Sequence, residues 1–216
     1  MNTIKLYLKK ATLFCSLVVI SCGGVPEETT TTSTESKAFA VADVLTMVAH
    51  ENDITRTLYT KAIVGGGKKQ GFKFDEDWQD EAVEAGPLPA LFLRGIANDI
   101  RKGDVPLGLY LGSDFPINAS NKLEGKQATL FEQIKKDRKP AHFFDEEAKQ
   151  YTAMFADVAG AAPCVSCHNK HPQTTKTDWK LGDVMGATTW QYPKDSLSYT
   201  EAMGVLKAYR DGTKAI

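Results

Sequence analysis

The amino-acid sequence predicts a single α+β domain, and three observations lead to this fold class. The 216 residues are 42% hydrophobic and 25% charged, which is typical of a globular chain with one core. Apolar residues at helical spacing dominate the first half of the folded region. Short segments with the alternation typical of strands follow. Helices first and antiparallel-looking strands later favour α+β over a doubly wound sheet.

The predicted helices begin with a long one that starts near Ala38 and should end at the glycines 65–67. Acidic residues or prolines precede the next two helical segments, and a glycine follows each of them. These two segments are predicted to be helices over 75–86 and 87–103, and two later helices are predicted over 126–138 and 196–212. The apolar stripe of the long first helix comprises Val44, Met47, His50 or Glu51, Ile54 and Leu58.

The first predicted strand contains Leu107, Leu109 and Leu111, which alternate as residues on one face of a sheet do. Pro116 and Asn118 then break the run and indicate a loop. Further strands are predicted within 141–146, 151–160 and 182–193. Together with the flanking helices, these segments predict an antiparallel sheet.

The charge distribution excludes one class of partner. The formal net charge is -1 and no long basic run occurs, so the chain lacks the electrostatic footprint of a nucleic-acid-binding protein. The segment GGGKKQG at 65–71 does not have the residue order of a phosphate-binding loop. We therefore predict no nucleic-acid partner and interpret 65–71 as a glycine-rich loop.

The N-terminus has the pattern of an export signal. Three lysines precede a short apolar run that ends in VVISCGG, which resembles a bacterial lipobox with Cys22 as the acylated residue. The run from 11 to 20 is too short to span a bilayer comfortably, although an uncleaved signal anchor is the alternative. We predict a lipoprotein signal peptide at 1–21, a flexible Thr/Ser-rich tether at 22–37 and a folded domain at 38–216.

The segment CVSCHNKHP carries the strongest chemical signal in the chain. If Cys15 is removed with the signal and Cys22 is acylated, Cys164 and Cys167 are the two cysteines that remain. Cys-x-x-Cys-His is the attachment pattern of c-type haem, in which two thiols bond the porphyrin and His168 ligates the iron. The sequence therefore predicts one covalently attached haem c.

Two other chemistries use a Cys-x-x-Cys pair. A zinc site needs four ligands, and without a second cysteine pair only His168, His171 or the more distant His50 and His142 remain to complete the set with Cys164 and Cys167. A thioredoxin-like redox pair would lie at a helix N-terminus early in a βαβ unit, whereas this pair comes late in the chain between strands. Both patterns fit the sequence less well than haem attachment does.

Two segments resemble the Tll0287-like domains, also called DUF3365. They are LGSDFPINASNKLEGKQATLFEQ and CVSCHNKHPQTTKTDWKLGDVMGA, and the resemblance covers roughly residues 38–192. It implies a PAS-like sensor fold of a kind that occurs in exported haem proteins or attached to signalling domains. It also implies that Cys164 and Cys167 form the thioethers and that His168 is the proximal ligand.

The second axial ligand is not defined by the resemblance. A relative in that family uses a cysteine on an early helix, and the predicted mature chain has no such cysteine. Met47 and His50 lie three residues apart on the first predicted helix, so either could ligate iron on its opposite side. Alternatively, Met47 is a core residue and His50 a polar edge residue. Met185 and Met203 are less suitable, being too close to the attachment segment or part of the core.

Residues that follow the motif are predicted to support it. His171 lies too close to His168 to reach the opposite side of a haem, so we expect it to bond a propionate or the loop backbone. Lys176, Asp178 and Trp179 are expected to hold the attachment segment against the sheet.

These features predict a lipid-anchored monohaem protein of the cell envelope, facing the periplasm or the cell surface. A stable second ligand would suit electron transfer, and a weakly held one would suit redox sensing. Since no output domain follows the last predicted helix, sensing would need a separate signalling protein, and electron transfer a redox partner. The alternatives are a peroxidase-type enzyme, with His50 or His142 beside open iron, and a haem-free ligand-binding module.

Overall fold

A four-stranded antiparallel sheet lies at the centre of the fold, and its strands lie side by side in the order Gly108–Gly112, Val184–Tyr192, Gln150–Val158, Ala141–Asp145. The computed structural model describes residues 38–216, so the predicted signal peptide, Cys22 and the tether lie outside the described residues. The strands of the central sheet are β4 (Gly108–Gly112), β5 (Ala141–Asp145), β6 (Gln150–Val158) and β7 (Val184–Tyr192). The short strands form two separate two-stranded sheets. In one, β1 (Phe39–Ala40) pairs with β8 (Ser196–Leu197), and in the other, β2 (Phe74–Asp75) pairs with β3 (Gly86–Pro87).

Six α-helices surround this sheet in the part of the chain that the structure describes. They are α1 (Val41–Leu58), α2 (Gly66–Lys69), α3 (Pro89–Ile100), α4 (Gly125–Asp137), α5 (Ala162–Lys170) and α6 (Tyr199–Lys214). A π-helical segment, Tyr59–Gly65, joins α1 directly to α2. The α+β fold class is confirmed, as are the four predicted strands and the helices that correspond to α3, α4 and α6.

Apolar side chains fill both faces of the sheet. On one face α1, α3 and α6 pack on alternate strand residues, among them Leu109, Ala153 and Trp190. On the other face α4 packs on Met154 and Ala187. The alternation follows from the strand geometry, in which successive side chains point to opposite faces.

Three local predictions are wrong. The glycines 65–67 do not end the first helical segment, which continues to Lys69. The segment 75–86 forms turns with two short strands instead of a helix. Gly212 is the predicted closing residue of the last helix, but it lies inside α6 and packs against α3, where a Cβ would approach the Ile96 carbonyl oxygen to 3.1 Å. A small residue is needed there for close helix packing.

The buried face of α1 also differs from the prediction. Of the predicted stripe, only Val44 is buried, and Met47, Ile54 and Leu58 are 48%, 56% and 61% exposed. The side chains that α1 does bury are Val41, Val44, Leu45, Val48, Ala49 and Asn52. The alternative of Met47 as a core residue is therefore wrong, and an apolar stripe on α1 is about half exposed to solvent in the described structure.

The start of α6 allows a direct test of helix capping. Ser198 Oγ accepts a hydrogen bond from the Glu201 backbone N–H, and the Glu201 carboxylate accepts one from the Ser198 N–H. Because the Ser198→Ala variant leaves a helix donor unpaired, we expect it to lower the free energy of unfolding by about 1 kcal/mol. Urea titration measures this loss, and Ser196→Ala, at an exposed position just before the cap, is the control. Equal stability of both variants would contradict the capping role.

Candidate functional site

The Cys-x-x-Cys-His segment forms most of helix α5, which the sequence analysis did not predict as a helix. Pro163 in its first turn is a signal that could have revealed it, because the fixed φ of proline suits that position. Cys164 and Cys167 are free thiols, the first half-buried and the second exposed. Since they are three residues apart on a helix, they share one face, and His168 follows them directly.

Helix α5 is held against the end of the sheet by contacts near its middle. Val165 packs against Ala159, Trp179 and Met185, which form a small separate core. Asn169 makes two hydrogen bonds to the Trp179 backbone, donating to its carbonyl oxygen at 3.0 Å and accepting from its N–H at 2.9 Å. These contacts fix the position of the thiols relative to the strands.

Lys176, Asp178 and Trp179 lie beside this small core, in the segment that follows α5. The Trp179 side chain is 7% exposed and packs in it. Lys176 forms an ion pair with Asp178, and its ammonium group lies 4.8 Å from the centre of the Trp179 ring. Asn169, which the sequence analysis did not single out, connects the same segment to α5.

His168 lies on α5 and its side chain is partly buried. Burial lowers the pKa of its imidazole, the charge of Asp157 opposes that shift, and His171 adds to it. A lowered pKa keeps the ring neutral at pH 7, and a neutral ring has the lone pair that a metal ligand needs. His168 is thus suited to ligate a metal ion.

The segment that contains Glu76 contacts the residue that follows α5, His171. His171 Nε2 lies 3.1 Å from Glu76 Oε1, and His171 Nδ1 accepts a hydrogen bond from the Gln173 backbone N–H at 3.1 Å. Burial raises the pKa of the Cys167 thiol, with a further contribution from Glu76 and an opposing one from Lys68. The hydrogen bond from the Gln173 N–H to His171 is the bond to the loop backbone that was one of the two predictions for this residue.

Helix α1 runs along β6 in the same direction. Burial raises the pKa of Tyr151 on β6, and the charge of Asp43 at the start of α1 raises it further. At the end of α1, Arg56 forms an ion pair with Asp157 at 3.1 Å. Because Asp157 is near the end of β6, the C-terminal half of α1 lies at the end of the strand from which the chain continues into α5.

Exposed apolar surface continues from α1 beyond its end. After Met47, Ile54 and Leu58, the side chains of Ile63 and Phe72 are 54% and 68% exposed. Apolar carbon dominates the lining of a cleft of about 530 Å³, to which Ile63, Gly67, Phe72 and Phe74 contribute. An apolar cleft of this kind is typical of a binding site.

The remaining predicted residues lie apart from one another. His50 is exposed on α1, and His142 is on the edge strand β5, with its ring 5.8 Å from that of Phe155. Met185 is buried beside Trp179, whereas Met203, which the sequence analysis placed in the core, is 45% exposed. Among residues 38–216, no three His, Cys, Asp or Glu side chains are grouped as a metal site requires, so the zinc alternative lacks its ligand set.

Comparison with known proteins gives one match. A family model described as Tll0287-like matches residues 27–193, which include α5 and all four strands of the central sheet. No curated protein and no solved structure matches the chain.

Proposed function

The chain belongs to the Tll0287-like family, and on that basis we propose that it carries one haem c, bonded through Cys164 and Cys167. Membership of this family supports a haem-binding, c-type cytochrome-like domain. Covalent attachment is the further step, and the motif in α5 supports it. His168 would then be the proximal ligand of the iron.

The residues around α5 fit such a group in three respects. The two thiols are free, and their spacing places them on one side of a helix. The imidazole of His168 has a lowered pKa, which leaves it neutral for ligation. The third respect is the apolar surface of Met47, Ile54 and Leu58, which is about half exposed in the described structure. A large apolar ring system would cover such a surface favourably.

His50 and Met47 remain the candidates for the second axial position, and His50 is the better placed. The contact between Arg56 and Asp157 marks the part of α1 that lies at the end of β6, from which the chain continues into α5. With a rise of 1.5 Å per residue, His50 is about 9 Å from Arg56 along the helix axis, and Met47 is about 13.5 Å away. Both side chains are exposed, so neither has to leave the core to ligate.

We expect His50→Ala to alter the absorption spectrum of the reduced haem protein and to create a site for carbon monoxide. The loss of an axial ligand changes the spin state of the iron and opens a coordination position. Met47→Ala is the matched variant, one helical turn away, and should leave the spectrum unchanged. A change in the Met47 variant alone would assign the methionine, and no change in either variant would contradict ligation by α1.

The haem would supply a one-electron redox centre, and we propose that the protein serves in redox sensing or electron transfer without catalytic turnover. The surrounding residues would set its properties, because axial ligands, hydrogen bonds and burial determine the potential of a haem. We further propose a PAS-like sensor fold for the domain. Peroxide reduction faster than that of free haem would favour the enzyme alternative instead.

The location in the cell is a separate proposal. The lipobox-like segment supports acylation at Cys22 and an anchor in the cell envelope, with the domain on the tether that precedes Ala38. Among the described helices, none combines the length and the apolarity needed to cross a membrane. Metabolic labelling with a fatty acid tests the anchor, and Cys22→Ala should abolish the label.

The deciding experiment is the mass of the purified, denatured protein from a host that attaches c-type haem. We expect the protein to exceed its polypeptide mass by one haem and to give a haemochrome spectrum in alkaline pyridine. A denatured protein without bound haem would overturn the proposal.

A further inference from the structure

An ion pair joins the C-terminal part of α1 to the end of β6. Arg56 Nη2 lies 3.1 Å from Asp157 Oδ1, and Arg56 Nη1 donates a hydrogen bond to Thr188 Oγ1 at 3.3 Å. The two charged side chains are only 19% and 25% exposed. Solvent therefore screens this pair less than it screens an exposed pair, and the bond to Thr188 fixes the direction of the guanidinium.

The Arg56–Asp157 pair lies at the end of the sheet against which α5 packs. Asp157 lies at the end of β6 and Ala159 just beyond it, and Val165 of α5 packs against the small core that includes Ala159. His168 follows Val165 by three residues, so it lies on the same side of α5 one turn further on.

We propose that Arg56 is a positioning residue that holds the Asp157 carboxylate beside His168, and that this pair sets the reduction potential of the iron bound there. The inference rests on the proposed function, because it concerns a haem iron held by His168. The two charges have opposite effects. A carboxylate near the proximal ligand stabilises oxidised iron, whereas a guanidinium stabilises reduced iron and also neutralises that carboxylate.

The test is the reduction potential of the haem-loaded protein, measured by spectroelectrochemistry. We expect Asp157→Asn to raise the potential, Arg56→Gln to lower it, and the double variant to return towards the wild-type value. The absorption spectra should remain those of the wild type, because neither residue is proposed as a ligand. Lys207→Gln, which removes one partner of an ion pair within α6, is the control and should not shift the potential.

A purely structural role would give a different pattern. If the pair only held α1 against β6, both single variants would loosen the site and shift the potential in the same direction. Shifts of the same sign, or no shift in either variant, would overturn the inference while leaving haem attachment intact. Should Arg56→Gln fail to fold, Arg56→Lys preserves the charge, and its potential should stay closer to wild type than that of Asp157→Asn. A wild-type chain without covalent haem would overturn the proposed function itself.

Discussion

The Cys164→Ser/Cys167→Ser variant should lose all covalently bound haem and still fold. Serine has nearly the shape of cysteine but forms no thioether, and neither thiol belongs to the apolar core clusters of the described structure. Each single variant retains one thiol and should retain a partial, more easily lost attachment. Haem staining of a denaturing gel and the intact mass measure the effect.

Ser166→Ala is the matched control, because Ser166 lies between the two cysteines on α5 and is exposed. It should carry haem as the wild type does. Far-ultraviolet circular dichroism of the double variant checks that the helices have formed. Covalent haem in a folded double variant would contradict attachment through α5.

Trp190→Ala should cause the largest loss of stability among single substitutions discussed for this chain, about 3–5 kcal/mol in the free energy of unfolding. Trp190 is 0% exposed on β7, directly opposite Leu109 on β4 and Ala153 on β6. Its ring meets that of Tyr209 from α6 edge-on, with 5.8 Å between the centres. Truncation to alanine leaves a cavity between α6 and the sheet, and the surrounding side chains can fill it only partly.

Chemical denaturation followed by circular dichroism measures this loss. Trp78→Ala is the control, since Trp78 lies in the turns between β2 and β3 and is only partly buried. It should cost much less than the change at Trp190. Similar losses for both variants would show that the packing around Trp190 does not dominate the core.

The sequence pattern predicted the sheet well but failed over 75–86, and hydrogen bonds explain the failure. Acidic residues followed by a glycine are typical of a helix with favourable ends. Here, however, the Asp75 and Asp80 carboxylates accept hydrogen bonds from the backbone N–H groups of Asp77 and Ala82, at 3.1 and 2.9 Å. Such local bonds stabilise turns at the expense of a helix.

The face that α1 buries could not be predicted, because both sides of the helix carry apolar residues. Leu45 and Val48 face the sheet, whereas Met47 and Ile54 are exposed. Periodicity indicates an apolar stripe without indicating whether protein or a cofactor covers it. The stripe chosen from the sequence is the one that the proposed haem would cover.

The candidate site was only partly visible in the sequence. The spacing of Cys164, Cys167 and His168 identified the attachment motif, because those residues are adjacent along the chain. Arg56 and Thr188 are 132 positions apart, and only folding brings them together. Their contact, and that of Arg56 with Asp157, leaves no pattern in a single sequence.

The π-helical segment Tyr59–Gly65 has a consequence for how this domain tolerates insertions and deletions. Tyr59 anchors its start by stacking on Phe92 at 4.1 Å and donating a hydrogen bond to the Pro87 carbonyl oxygen at 2.7 Å. Beyond that anchor, each residue added to or removed from the helical segment would rotate the following helix α2 about its axis. The length of this segment therefore decides whether Lys68 and Glu76 face the Cys167 thiol, so loop-like freedom in chain length is not available here.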